Sequence, residues 1–360
     1  MYHQALVKVV SVLFEDHKKQ WIITDQFSGR AILYKSVLEP VKAGDDIYVN
    51  ITAYHLNLGT GGYDIVVSKQ ISPETVTRNE QGGHIIKLRY TPNQHSVQAI
   101  DAQESPYHTL FEKDFSLEGK KVLLAELHSM VPLIWSFARQ LNEQLKITFI
   151  FDEQAALALP ISKHLERLEK EKGFHSITIG QAFGGEYEAT TLQNALQFAD
   201  QYLRSDLIVV SVGPGVVGTG TKYGFSGIHL ANWANIIGAL QGVPVWVPRI
   251  SFADKRERQR GVSHHTRTAL MEFTYAKSIL PLPYLQQDRM QLIKQQLAHA
   301  KSLTEHTVII STKKANFEHI RKAVTIFEDE ITTMNRSFAE DPDYFCGVFE
   351  ATRVSLGFVE

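Results

Sequence analysis

The chain has 360 residues, which is enough for roughly two domains of about 150 residues each. Its 37 lysines and arginines nearly balance 39 aspartates and glutamates, which argues against a protein that binds nucleic acid over its whole surface. Hydrophobic residues make up 44% of the chain, so the protein can bury a sizeable core.

The single cysteine and the apolar segments bear on where the protein works. One cysteine, Cys346, excludes an intrachain disulfide and favours a reducing compartment. The first residues lack the charged and apolar regions of a signal peptide, and no apolar run reaches the ~18 residues of a membrane span. We therefore expect a cytoplasmic protein with no membrane partner.

Residues 1 to 75 have the pattern of a small all-β domain. Five short segments rich in Val, Ile, Tyr and Thr are separated by turn residues at 27–29, 42–45 and 59–62. The five predicted strands are 6–13, 21–24, 31–34, 47–54 and 65–68. This spacing predicts a small barrel, which must pack on the rest of the chain or on another subunit to bury its outer apolar surface.

From about residue 84, strands alternate with amphipathic helices, which predicts βαβ units and a mostly parallel, Rossmann-like sheet over residues 76–360. The predicted strands are 85–88, 122–125, 147–151, 176–179, 207–212, 243–248 and 307–311. The predicted helices are 132–144, 161–171, 188–203, 228–240, 264–278, 286–300 and 316–328. Residues beyond 330 show no clear pattern.

A glycine-rich loop follows the most apolar of these strands. Six of the 23 glycines fall within 213–227, and a helix pattern starts near Ser226. Glycines let backbone N–H groups approach an anion, and a helix N-terminus adds a favourable dipole, so the loop suits a phosphate, a carboxylate or a nucleotide. The candidate ligand-binding residues are Gly213, Gly215, Gly218, Thr219, Gly220, Thr221 and Ser226. The alternative is a tight crossover whose glycines only permit close packing.

Neither standard phosphate-binding motif is present in this loop. Residues 213–218 match G-x-G-x-x-G, but the helix opens too late, and Arg249 rather than an acid follows the next strand. Thr221 and Lys222 reverse the order of residues that a P-loop requires.

A basic segment and two histidines follow the next predicted strand. Residues 249–260 hold five cations and two anions, and Arg249 and Arg256 can grip a phosphate or carboxylate. Ser263 is a good helix cap, which places His264 and His265 in a first turn, where the helix dipole lowers a histidine pKa.

Neutral imidazole suits a general base or a metal ligand, so both histidines are catalytic candidates. Asp254 is a third, because it can orient a histidine or bind a metal. The alternative is a solvated charged loop with histidines that only cap a helix. Zinc-binding spacings are absent, so no metal site is predicted, and the residues point to no particular cofactor.

Loops that follow parallel strands meet at one edge of the sheet, near which ligands bind. We therefore expect the loops 90–95, 126–129, 180–188, 213–227 and 249–266 to lie together. They add His128 and Glu186 to the candidate ligand-binding residues. The alternatives are structural, with Ser129 capping a helix and Glu186 complementing a helix dipole.

Residues 212–227, followed by 249–254 and 261–266, resemble an uncharacterised bacterial family, the domain-of-unknown-function family 3866. Residues 84–92 and 59–63 resemble it too, so the likeness covers nearly the whole chain. The resemblance implies a bacterial cytoplasmic protein of about this length, and it assigns no reaction and no catalytic residue.

Three functions are compatible with these residues. The first is an enzyme, a hydrolase or transferase, acting on a small phosphorylated or nucleotide-like ligand held by the glycine loop. The second is a non-catalytic metabolite sensor or interaction protein whose barrel contacts a partner. The third is an oligonucleotide-binding barrel with stacking aromatics such as Trp21, but residues 1–75 lack a basic excess, so nucleic acid is not expected. A homo-oligomer is compatible with the sequence.

Overall fold

The computed structural model describes residues 2–56, 62–70, 83–91, 93–152, 158–298, 306–325 and 331–358. Within these ranges, a closed five-stranded barrel precedes an α/β unit built on an eight-stranded parallel sheet, as predicted. No helix of the described segments has the length and apolar character needed to cross a membrane. Most of the predicted turn at 59–62, the boundary after residue 75, and the ends of the helices predicted at 286–300 and 316–328 lie outside the described residues.

The barrel is closed by its first strand, which pairs with two neighbours. Its strands are β1 (Gln4–Glu15), β2 (Lys19–Thr24), β3 (Arg30–Tyr34), β4 (Asp46–Asn50) and β5 (Asp64–Lys69), in the order β1-β2-β3-β5-β4. A short helix, α1 (Thr52–His55), follows β4. Inward side chains such as Val7, Ile22, Leu33 and Ile47 form the barrel core, while alternate residues of β1 face solvent.

The barrel packs on the α/β unit, which is one of the two arrangements that its small core predicts. Trp21 and Tyr63 on its outer surface contact Ile161 of the α/β unit. The Lys19 ammonium, almost fully buried, donates to the Glu166 carboxylate at 2.6 Å and to the Pro160 carbonyl at 2.8 Å. A buried cation is stable only when it is paired and hydrogen-bonded, so these contacts fix the barrel in one position.

A two-stranded hairpin, β6 (Ile85–Lys87) and β7 (His95–Val97), follows the barrel. The prediction that 85–88 is a strand of the parallel sheet is therefore wrong. The segment ends on Lys87, whose buried ammonium donates to the Ala182 carbonyl at 2.8 Å and pairs with Glu188 at 3.1 Å. A strand covered on both faces by apolar side chains offers no place for this charge.

The parallel sheet has the strand order β11-β10-β9-β12-β8-β13-β16-β17. Its strands are β8 (Lys121–Ala125), β9 (Ile147–Phe151), β10 (Phe174–Ile179), β11 (Tyr187–Ala189), β12 (Leu207–Ser211), β13 (Val243–Val247), β16 (Ile279–Leu282) and β17 (Thr307–Ile310). Between β13 and β16, the pair β14 (Ile250–Ser251) and β15 (Gly261–Val262) forms a small hairpin. Sequence analysis missed β11, which has three residues, and β16, which contains Pro281.

Helices cover both faces of the sheet. They are α2 (Met130–Leu141), α3 (Lys163–Leu168), α4 (Leu192–Gln197), α5 (Leu230–Ala239), α6 (His264–Phe273), α7 (Gln287–Ala298), α8 (Phe317–Val324) and α9 (Pro342–Ser355). Short 3-10 turns lie at His108–Glu112, Leu159–Ile161, Ser226–His229 and Glu257–Gln259, and a π turn at Phe198–Tyr202 extends α4. Helices α2, α3, α8 and α9 bury one face, and α4 to α7 bury the other. Helix α9 was not predicted, because it is buried on nearly all sides and has no polar face to set a helical period.

After β8 and after its parallel neighbour β12, the chain crosses the sheet in opposite directions. The chain leaves β8 toward α2 on one face of the sheet, whereas it leaves the neighbouring β12 toward α5 on the other face. Their last residues, Ala125 and Ser211, are paired in register. The loops that follow therefore diverge and open a crevice at the carboxyl ends, which is where ligands bind in open α/β sheets.

Neutralising Glu166 tests the barrel contact. In Glu166→Gln the buried Lys19 ammonium loses its carboxylate, and we expect the free energy of unfolding to fall by about 2 kcal/mol, below the full cost of a broken buried pair because Glu166 is a quarter exposed. Urea denaturation measures the change. The matched control is Asp46→Asn, which breaks the exposed Lys8–Asp46 pair and should cost much less, because solvent screens an exposed pair. Equal losses in the two variants would contradict this role of Lys19.

Candidate functional site

Three loops at the carboxyl ends of β8, β12 and β13 meet in the crevice. Strand β8 lies between the other two, so their loops start side by side. The glycine loop 213–227 reaches α6, where the ring of Phe225 stacks on His265 with centroids 4.1 Å apart and planes within 6°. Across the loop, the guanidinium of Arg258 lies 3.5 Å from the Gly220 carbonyl oxygen. The glycine loop and the basic segment thus form one surface.

The basic segment is folded as the β14–β15 hairpin, which brings its two ends together. The Ser263 amide donates to the Arg249 carbonyl at 2.8 Å, so Arg249 lies beside the start of α6. The Ser263 hydroxyl accepts from the His265 amide at 3.1 Å, which confirms the predicted helix cap. The buried Arg249 and the histidine pair are therefore neighbours although 15 residues separate them in the chain.

Asp254 is the centre of an arginine cluster. Its carboxylate accepts from Arg256 at 2.7 Å and from Arg249 at 3.3 Å, and Arg336 lies 3.6 Å away. These hydrogen bonds, with Arg256 the foremost, hold the pKa of Asp254 well below its usual value against the opposing effect of burial. With its oxygens occupied by arginines, Asp254 positions cations and leaves the orientation of the histidines to other residues.

Two of the cluster's residues come from the segment before α9, where the sequence shows no pattern. Arg336 donates to Asp341 at 2.9 Å, and the Ser251 hydroxyl donates to the same carboxylate at 2.7 Å. Arg336 and Asp341 belong to a stretch without strand or helix periodicity, so no sequence signal indicates them. Their contribution depends on α9 packing beside β13 and β14.

His264 and His265 form a contact pair at the start of α6, with ring centroids 4.2 Å apart. Burial, followed by the charges of His264, Arg249 and Arg258, lowers the pKa of His265 to about 3. Burial and nearby arginines also lower the pKa of His264. The predicted direction is confirmed, although burial and arginine charge account for it, where sequence reasoning invoked the helix dipole. Both imidazoles are therefore neutral near pH 7.

Glu126, the first residue after β8, was not among the predicted site residues. It is fully buried, and burial raises its pKa to about 7. Its carboxyl group accepts from the Thr266 hydroxyl at 2.5 Å, and the Arg249 amide donates to that hydroxyl at 3.4 Å. A carboxyl group with this pKa can donate or accept a proton near neutral pH. Its position directly after the central strand is the sequence signal that marks it.

The hydroxyls of the glycine loop shape its tip. Thr219 and Thr221 share a hydrogen bond of 2.9 Å, Thr221 accepts from the Gly224 amide at 3.1 Å, and Ser226 accepts from the Val217 amide at 3.1 Å. These predicted ligand-binding side chains are therefore already used within the loop. A Cβ at Gly224 would lie 2.1 Å from the Thr219 hydroxyl oxygen, so only glycine allows this closed tip.

The start of the loop has backbone donors without a partner among the described residues. The amide N–H groups of Gly213, Gly215 and Gly218 make no hydrogen bond within the described part of the chain. Gly215 has φ of +96°, a conformation that L side chains rarely adopt. Gly218 faces His265, since a Cβ built on it would lie 3.8 Å from the ring. Backbone donors and neutral imidazole thus face the same space.

The other two predicted site residues make their contacts outside the arginine cluster. His128 lies between the start of α3, where its Nε2 is 2.7 Å from the Ser162 hydroxyl, and the Val212 backbone just before the glycine loop, and burial lowers its pKa to about 4. Glu186 pairs with His175 at 2.9 Å near the amino ends of β10 and β11, at the opposite edge of the sheet.

The five predicted loops therefore do not converge on one site: Glu186 lies at the opposite edge, whereas Asn93, Phe183 and Pro214, from the loops 90–95, 180–188 and 213–227, line one cavity. The two structural alternatives are wrong as well. The loop 180–188 starts at the carboxyl edge but returns to the amino edge, because β11 is one more parallel strand. The loop 90–95 belongs to the β6–β7 hairpin. The Ser129 hydroxyl contacts the Tyr344 hydroxyl at 2.9 Å instead of capping α2, and Glu186 lies before β11 instead of in the first turn of a helix.

The site is rich in arginine and poor in metal ligands. Among the residues that the structure describes, no three His, Cys, Asp or Glu side chains converge as they would to hold a metal ion. Asp254 is occupied by arginines, and Glu126 is bound to Thr266. The available groups are cations, backbone amides and two neutral imidazoles, which suit an anion.

Replacing Glu126 with Gln tests its raised pKa. Between pH 4.5 and about 7 the unfolded chain releases a proton that the folded protein keeps, so Glu126 makes the wild type lose stability as the pH rises. Glu126→Gln should escape this loss and gain as much as about 3 kcal/mol relative to wild type between pH 4.5 and pH 8. Denaturant titrations at both pH values measure it. A difference that does not change with pH would refute the assignment.

Comparison with known sequences assigns the chain to a family without adding a function. No curated protein matches the chain. A family described as "Protein of unknown function (DUF3866)" matches residues 30–352, a range that runs from the third barrel strand into α9. Because the match covers most of the chain, from three of the five barrel strands through the parallel sheet with its arginine cluster, the chain belongs to this family of unknown function, DUF3866.

Proposed function

We propose that the protein binds a small phosphorylated or nucleotide-like anion in the crevice at the carboxyl ends of β8, β12 and β13, and acts on it as a hydrolase or transferase. The observation that carries the proposal is the meeting of the glycine loop, the arginine cluster and the neutral histidine pair in one place. Each feature alone has a structural explanation, but their convergence at a topological switch point favours a ligand site.

The charges of the crevice favour an anion with more than one negative charge. Arg249, Arg256 and Arg336 surround Asp254, and Arg336 also pairs with Asp341. Arg258 adds a further cation beside the glycine loop. Arginine guanidinium groups bind phosphate through paired hydrogen bonds, and glycine amides supply further donors. The excess of cations over carboxylates matches a phosphate group.

The titratable groups can supply the proton transfers of phosphoryl transfer. Glu126, with a pKa of about 7, is partly ionised near neutral pH, so its carboxylate accepts the proton of an attacking water or hydroxyl group as the new P–O bond forms, and the resulting acid returns that proton to the leaving oxygen as the old P–O bond breaks. Neutral His265, whose low pKa makes it a weak base, orients the attacking group by accepting its hydrogen bond. The arginines stabilise the negative charge on the transferred phosphoryl group.

A non-catalytic sensor is the second candidate. The observation that favours it is the firm attachment of the barrel, through the buried Lys19, to the α/β unit that would bind the metabolite. Such an attachment can pass a change at the crevice to a partner of the barrel. For either activity we propose a cytoplasmic location, because a single cysteine, which excludes an intrachain disulfide, favours a reducing compartment.

Arg258→Gln tests anion binding. Arg258 is exposed and lies against the glycine loop, so its loss should weaken the binding of inorganic phosphate about tenfold in isothermal titration calorimetry, with little loss of stability. The matched control is Arg321→Gln, an exposed arginine of α8 on the opposite face of the sheet, which should leave the affinity unchanged. Equal affinities in wild type and both variants would place the anion elsewhere.

His265→Phe separates the enzyme from the sensor. Phenylalanine keeps the stacking on Phe225 but cannot accept a hydrogen bond from the attacking group, so hydrolysis of p-nitrophenyl phosphate or nucleoside phosphates should fall at least about tenfold while phosphate binding remains. His175→Phe, at the far edge of the sheet, is the control and should keep full activity. Binding without turnover in the wild type would favour the sensor instead.

A further inference from the structure

A cavity of about 320 Å³ lies where the barrel, the β6–β7 hairpin and the carboxyl-end loops of the sheet meet. This volume and a position between two folding units are typical of small-molecule sites. The lining side chains that matter here are Tyr34, Leu38 and Ile65 of the barrel, Asn93 of the hairpin, and Phe183 and Pro214 of the sheet loops.

The cavity walls are apolar and aromatic, with few polar groups. The rings of Tyr34 and Phe183 meet edge to face with centroids 6.2 Å apart. The Tyr34 hydroxyl and the Asn93 amide are polar side-chain groups of the lining, and burial raises the pKa of Tyr34, so its hydroxyl stays protonated. A flat ring with hydrogen-bonding groups at its edge fits this lining. Aromatic side chains pack on the edges and faces of such a ring, and its polar edge can bond to the hydroxyl and the amide.

The hairpin holds its cavity residues under constraint. Leu88 lines the cavity with φ of +51°, a left-handed conformation that is costly for a residue other than glycine and that recurs at ligand-binding sites. The buried Lys87 beside it is anchored on the Ala182 carbonyl, and the His95 ring lies 3.0 Å from the Asn93 carbonyl oxygen. These contacts fix both Leu88 and Asn93 in the wall.

The cavity and the anion site share the start of the glycine loop. Pro214 lines the cavity, and its neighbours Gly213 and Gly215 have amides with no hydrogen-bond partner among the described residues. Strand β13, which Arg249 follows, is two strands from β12, so roughly 10 Å at the usual strand spacing separates the Pro214 edge of the cavity from the start of the arginine segment. A molecule whose ring lies at this edge of the cavity can therefore place its anionic group beside Arg249.

We propose that the cavity between barrel and sheet binds the heteroaromatic ring of the ligand whose phosphate occupies the crevice, so that the ligand class is a nucleoside phosphate. This inference rests on the proposed function for the phosphate end, whereas the ring end rests on the cavity itself. A long acyl chain or a peptide fits poorly, because the cavity is near the lower limit of ligand-pocket size. The barrel then has a role as one wall of the site.

The test compares ligands with and without a ring on the full chain. Isothermal titration calorimetry measures the affinities of inorganic phosphate, of adenosine, guanosine, cytidine and uridine, and of their 5′-monophosphates. We expect at least one monophosphate to bind ten or more times as tightly as inorganic phosphate. Val37→Trp, which fills the cavity from the barrel side, should bring this ratio close to one and leave phosphate binding unchanged.

Two further variants keep the test decisive. Val10→Trp makes the same change at an exposed position of the barrel and should preserve the ratio. If Val37→Trp does not fold, Asn93→Ala replaces it and should weaken the best monophosphate three- to tenfold without affecting phosphate. Phosphate binding with a ratio near one for all four monophosphates would overturn the ring site, as would a ratio that neither cavity variant changes.

Failure of the two proposals gives different results. If nucleosides bind and Val37→Trp or Asn93→Ala weakens them while inorganic phosphate does not bind, the ring site stands and the anion site is refuted. If phosphate binds and depends on Arg258 while no monophosphate exceeds it, the anion site stands and the ring site is refuted. If no compound binds, both proposals are wrong.

Discussion

The chain crosses the sheet in opposite directions after the parallel neighbours β8 and β12, and this topology is the constraint on which the rest of the structure depends. Right-handed crossovers place α2 on one face of the sheet and α5 on the other, so the loops that follow these neighbouring strands must part. The crevice between them is a consequence of topology and needs no special residue. The particular side chains at its rim then decide its chemistry.

Those side chains include both buried charged groups and buried neutral titratable groups. Asp254 gathers three arginines that would otherwise repel one another, and its low pKa reflects their hydrogen bonds. Burial, together with the charges of Arg249 and Arg258, keeps His264 and His265 neutral, while burial favours the protonated form of Glu126. One pattern of charge therefore supplies both an anion site and groups able to exchange protons near pH 7.

The local elements of the fold could be predicted where a period or a cap exists in the chain. The apolar run of β12 indicates a central strand, and Ser263 indicates the start of α6; the structure contains both. Lys87, β11 and α9 show the limits of such reasoning. A buried lysine, a three-residue strand and a helix buried on most sides carry no local period, because their environment is made by distant residues.

The contacts of the candidate site also fall into those that the sequence could predict and those that it could not. Adjacent strands are enough to bring together the loops after β8, β12 and β13, so sequence reasoning could expect the glycine loop to meet Arg249 and His265. It could not expect His128 to turn toward Ser162, or Glu186 to pair with His175, since side-chain direction and one additional strand decide these contacts.

By itself, the sequence determined the barrel, the alternation of most strands and helices of the parallel sheet, and the loops that carry glycine, arginine and histidine, because these depend on residue type and spacing along the chain. Only the tertiary structure decided that Arg336 and Asp341 join the cluster, that Glu126 is buried beside Thr266, and that the barrel encloses a cavity next to Pro214. These features depend on the packing of segments far apart in the chain, and such packing leaves no local pattern.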